Sequence, residues 1–178
     1  VGGGTLVIEG SNVYTGATSV NSGTLTIRDD QALGAADGTT ATGTFMANGT
    51  YLRLEGPLSV GDELLTVSGN AYVTISGAGT TRWEGGTVGG SGNTVQFTAS
   101  GGANFEMAGD VSISGGTVYF MANDSGGVGG SSIEVIGDVS GSNFYVQAYS
   151  YSTTHPNSVL VLGDFSATSQ VWLYSRSE

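Results

Sequence analysis

Apolar residues along this chain recur two apart, in short bursts. Leu25 and Ile27, Val73 and Ile75, Val95 and Phe97, Val118 and Phe120, Phe144 and Val146, and Val171 and Leu173 each flank one residue. The flanked residues run Thr26, Thr74, Gln96, Tyr119, Tyr145 and Trp172. A period of two belongs to a strand with one buried face: the outer residues point inward and the middle one outward. Between bursts lie Gly, Asn and Ser, the residues of tight turns. No stretch carries the i, i+3, i+4 spacing of an amphipathic helix. The pattern predicts many short strands, with the first ten of these apolar residues facing one continuous interior.

The bursts also recur along the chain. Leu6 to Gly10, Leu52 to Gly56, Thr81 to Gly85, Phe105 to Gly109, Ile133 to Gly137 and Val159 to Gly163 each end an apolar run on a glycine. The last five glycines are 29, 24, 28 and 26 residues apart. Such intervals suit one coil of a β-solenoid with three sides. The burst series of the first paragraph forms a second column. A third, weaker one runs through Val20, Leu58–Val60, Thr87, Val111–Ile113, Val139 and Phe165. Ala35 to Gly43 fits no column and reads as a loop projecting from the coil. A single coil cannot bury enough apolar surface to fold alone, so each depends on its neighbours. The end coils expose unpaired strand edges.

The first coil carries a resemblance. Gly4-Thr5-Leu6, Asn12-Val13-Tyr14-Thr15-Gly16, Thr18 to Leu25 and Ala32-Leu33-Gly34 together resemble the passenger-associated repeat of bacterial autotransporters and related large surface proteins. The likeness is close over Gly3–Gly34 and looser to Gly79. It implies a right-handed parallel β-helix on the bacterial surface. It implies no catalytic residues, because the repeat is a scaffold element. With the columns above, the expectation is an all-β, right-handed parallel β-helix of about six coils with three short strands each.

Composition sharpens this reading. The chain has 178 residues, of which 32 are glycine, and only 11 % are charged. Apolar residues make up 38 % and alternate, which separates the chain from disordered polar sequences. Lysine is absent, and Arg28, Arg53, Arg82 and Arg176 stand against fifteen acids, for a net charge of −11. That charge repels phosphate backbones and disfavours nucleic acid as a partner. With no cysteine there are no disulfides and no thiolate metal sites. No stretch is long and apolar enough for a transmembrane helix, and the chain opens without a signal-peptide pattern. Residues 1–178 read as one β-helix segment, a mature unit or an excerpt of a longer extracellular protein.

Candidate chemistry is sparse. The lone His155 sits in Thr153-Thr154-His155-Pro156-Asn157, with no strained nucleophile turn nearby. The adjacent carboxylates Asp29-Asp30 and Asp62-Glu63 read as solvated turn charges rather than a glycosidase pair. Gly89–Thr94 and Gly126–Ser131 approach a calcium-binding nonapeptide but lack its Asp, and no helix follows for a nucleotide. Asp110, Asp138 and Asp164 each follow the recurring glycine. They read first as carboxylates bonding N–H groups of their own turns, and second as weak calcium ligands. Tyr119, Tyr145 and Trp172 would form an outward aromatic stripe toward the C-terminal end, with Tyr149, Tyr151 and Tyr174 nearby. Such a stripe either stabilises the sheet or meets a protein or glycan.

The sequence therefore points to a non-enzymatic, extracellular structural protein without cofactor: a β-helical stalk or adhesin passenger segment on a bacterial surface. Two alternatives stay open. One is a subunit of a self-assembling fibre, joined through open coil edges and the stripe. The other is a glycan-binding module that uses the stripe.

Overall fold

The computed structural model describes residues 3–124, 129–150 and 156–177. The strands follow from the alternation. β1 (Thr5–Ile8), β2 (Thr18–Val20) and β3 (Thr24–Ile27) open the chain, and β3 returns parallel beside β1. Then come β4 (Thr44–Ala47), β5 (Thr50–Glu55) and the two-residue β6 (Ser59–Val60). The next two turns are regular: β7 (Leu65–Ser68), β8 (Asn70–Ser76) and β9 (Gly79–Trp83), then β10 (Thr87–Gly89), β11 (Thr94–Ser100) and β12 (Ala103–Met107). The chain continues through β13 (Val111–Asp124), β14 (Ser132–Val135), β15 (Val139–Ser150), β16 (Ser158–Val161) and β17 (Phe165–Ser177).

Every ladder is parallel, and each strand pairs with its counterpart one turn away. The result is a parallel β-solenoid of about six turns, with no helix among the described residues. One face stacks β1, β3, β5, β8 and β11; a second stacks β2, β4, β7 and β10; the third stacks β6, β9, β12, β14 and β16. All ten apolar residues expected inside lie inward. Nine are fully buried, and Val146 packs partly buried against them. Phe97 sits at the centre, its ring 5.7 Å from Phe120 on its own face and 5.9 Å from Phe105 on the third.

Three details depart from the sequence reading. First, not every turn has three short strands. β13, β15 and β17 each run through two faces as one strand bent at the corner, with the ladder register shifting between Ile113 and Thr117. Second, the columns were mixed. Leu52 and Leu54 lie beside Leu25 and Ile27, and beside Val73 and Ile75, not with Thr81–Gly85. Leu58–Val60 leads into the third face, against Trp83. Third, Ala35–Gly43 does not project. It is docked by Ala35 N–H to the Tyr14 carbonyl at 2.9 Å and by Gly38 N–H to the Asp62 carbonyl at 2.6 Å. Asp37 holds the loop's own turn by accepting from Thr39 and Thr42, which lowers its carboxyl below the usual range.

The recurring glycines have a steric cause. Gly85, Gly109, Gly137 and Gly163 stack at the corner between the third and second faces, and an added Cβ on any of them would run into the backbone of the turn before it. Where that column begins, the turn before β7 carries Glu63 instead, next to Gly85.

Candidate interaction surface

The outward residues of the first face fall into columns one strand apart. The register places Thr24, Tyr51, Tyr72, Gln96, Tyr119, Tyr145 and Trp172 in one column. Tyr119 and Tyr145 stack with centroids 4.4 Å apart and planes 6° apart; Tyr145 and Trp172 stack at 4.2 Å and 6°. The stripe expected from the sequence is thus formed, but it is longer. Tyr51 and Tyr72 belong to it, stacked at 4.8 Å. The sequence reading missed them because it set Thr74 opposite Gln96. In the structure Thr74 pairs with Thr98, and Tyr72 lies opposite Gln96. Thr26 is in the adjoining column, beside Arg53, and is buried. The stripe therefore covers most of the solenoid rather than its C-terminal end alone.

Stacking also settles what each ring presents. Both faces of Tyr145 are covered by neighbouring rings, so its edge and hydroxyl meet solvent. Partial burial, and then the adjacent Tyr145 phenol, raise the Tyr119 hydroxyl above its ordinary range. Tyr149 lies two columns away, opposite Asn123 and Arg176, with the Arg176 guanidinium 5.8 Å from its ring centre. Tyr151 and His155 lie outside the described residues.

The aspartates form a ladder of a different kind. The Asp110 carboxylate accepts the N–H of Asp138 at 2.9 Å, and Asp138 accepts the N–H of Asp164 at 2.8 Å. Each bond runs to the next turn, not to its own. This spacing lets an exposed carboxylate satisfy an orphan corner N–H and tie two turns together. Among the described residues no three His, Cys, Asp or Glu side chains converge as a metal site would require. Asparagines do similar work at another corner: Asn48 accepts from Asn70 N–H and Asn93 from Gly69 N–H, both at 2.9 Å.

Glu63, expected to be a solvated turn charge, is 1 % exposed. Its Oε1 accepts from Thr44 Oγ1 at 2.6 Å, while its Oε2 is buried with no partner. Burial pushes its carboxyl up to about 7, against a smaller opposing pull from Thr44. It lines a cavity of about 380 Å³ together with Asp30, Leu33, Ser59 and Val60. The residue's place at the head of a glycine column is the signal that reveals it.

Geometry of this kind defines a class: a parallel β-solenoid with a repetitive outer surface. Comparison with known proteins narrows it. No family model matches the chain, and no solved structure matches it. Over 107 residues, 60 % of its length, the chain is 35 % identical to the adhesin BmaC autotransporter of Brucella suis biovar 1 (strain 1330). It spans only about 3 % of that relative's length. The comparison supports a distant, partial autotransporter-like relation and nothing finer.

Proposed function

We propose that this chain serves as a non-enzymatic β-solenoid of a bacterial surface protein, a stalk or adhesin passenger segment held outside the cell. The observation that carries this reading is the unbroken parallel stack from β1 to β17, joined to the partial likeness to an autotransporter adhesin. A parallel stack is stiff along its axis because each turn is hydrogen-bonded to the next, and the eight strands of the first face, seven steps of about 4.8 Å, extend roughly 34 Å. Repetition lets such a rod lengthen without a new fold. Electron micrographs of the purified chain test the reading. Single short rods support it; long filaments favour fibre assembly, and irregular globules contradict both.

A second reading, end-to-end self-assembly, has its own support. β16 and β17 form the outermost turn, where Leu162, Val171, Leu173 and Tyr174 are exposed, Leu173 to 76 %. An apolar strand edge of this kind is a template for a further turn of the same chain or for another copy, and between copies joining unlike ends propagates unless it closes into a ring. Sedimentation over a concentration series separates the two readings.

A further inference from the structure

The aromatic column breaks once. Tyr51 and Tyr72 stack on one side, Tyr119, Tyr145 and Trp172 on the other, and Gln96 is the single rung between. Within each stack the planes lie within 17° of parallel. The ring faces turned toward Gln96, one from Tyr72 and one from Tyr119, are therefore the two that no neighbouring ring covers; only the half-buried Gln96 stem lies between their bases. Two strand steps separate these rings by about 9–10 Å. Gln96 does not bridge the interval with its amide. Its Nε2 turns along its own strand and donates to Thr98 Oγ1 at 3.0 Å.

The width of the break selects a guest. A flat aromatic ring held between two others needs only about 7 Å from plane to plane, so it would fit loosely. A puckered saturated ring, with C–H groups on both faces at about 3.5–4.0 Å from each tyrosine, fills about 8–9 Å. Charge selects further: the net −11 of the chain disfavours an anionic guest. Thr74, Thr98 and the Gln96 amide offer neutral hydrogen-bonding groups beside the break. We propose that the break at Gln96 is a carbohydrate subsite, where one neutral pyranose ring enters between the faces of Tyr72 and Tyr119. Sugar C–H groups pack on the electron-rich ring faces, as cations and edge hydrogens do. The stacked tyrosines on either side hold both walls in place before any sugar arrives, which reduces the ordering cost of binding. This proposal is independent of the stalk reading and adds a ligand to it.

Five neutral hexasaccharides serve as probes: cello-, laminari-, malto-, manno- and chitohexaose. Binding is read by saturation-transfer NMR and calorimetry on the full chain. At least one is expected to bind, with Kd on the order of 1 mM for a single subsite. Gln96→Tyr completes the aromatic column and fills the break; it should lower the affinity at least tenfold while the melting temperature holds or rises. Tyr119→Thr removes one wall and should also lose binding. The proposal is overturned if none of the five sugars binds, or if Gln96→Tyr binds as the native chain does. Rods unchanged in micrographs of both variants keep this result separate from that of the stalk reading.

Discussion

Raising the pH from 4.5 to 8 should loosen this protein through one side chain. The Glu63 carboxyl is enclosed, with one oxygen bonded to Thr44 and the other unpartnered. The charged residues that share its cavity and turn, Asp30 and Asp62, carry the same sign and give it no counter-ion. Its folded value is pushed up to about 7 from an ordinary 4.5. Because the folded state holds the proton more tightly than the unfolded chain, stability is complete below about pH 4.5 and falls as pH rises through about 7. At 1.36 kcal/mol per unit the loss is roughly 3 kcal/mol. For a chain of this size that corresponds to a fall of roughly 6–12 °C in melting temperature. Thermal melts across this range, on the native chain and on Glu63→Gln, measure it. The glutamine keeps an acceptor for Thr44 and carries no charge. The two proteins should melt alike at pH 4.5, and the variant should be the more stable at pH 8. Equal pH slopes in both would refute the reasoning.

Two further outcomes follow from the interior and the corners. Val73→Asp places an unpaired charge among Leu52, Phe97 and Ile75, which costs several kcal/mol and should leave the chain unfolded by far-UV circular dichroism. Adding calcium or a chelator should leave the melting temperature unchanged, because Asp110 and Asp138 already spend their carboxylates on the next turn's N–H groups; a rise of several degrees with calcium would make them ligands.

Much of the fold was legible because inward alternation and corner glycines are direct consequences of stacking. Phe97 or Gly109 could be placed from the sequence alone. Register was not legible, for a physical reason. Asn70–Ser76 and Thr94–Ser100 are both seven-residue alternating strands, and sliding one past the other by two residues keeps every apolar residue inward. The hydrophobic pattern cannot choose between these alignments. Asparagine bonds at the preceding corner, such as Asn93 to Gly69 N–H, tie the strand starts together. The hidden half of the aromatic column, Tyr51 and Tyr72, depended on that choice. The docked Ala35–Gly43 loop escaped notice because its anchors are backbone carbonyls, which any sequence supplies. Glu63 looked solvated because its neighbour Asp62 suggested an exposed acidic turn.

The register that aligns Tyr72 with Gln96 is the claim on which the aromatic column and its break both rest. The native chain has no cysteine, so introduced pairs read cleanly. Tyr72→Cys with Gln96→Cys places two cysteines on adjacent rungs with Cα atoms about 4.8 Å apart, within disulfide reach. Thr74→Cys with Gln96→Cys is offset by two residues, about 8 Å apart and beyond it. Under mild oxidation, thiol titration and intact mass should show an intramolecular disulfide in the first pair and free thiols in the second. A disulfide in the 74–96 pair with none in the 72–96 pair would contradict the account.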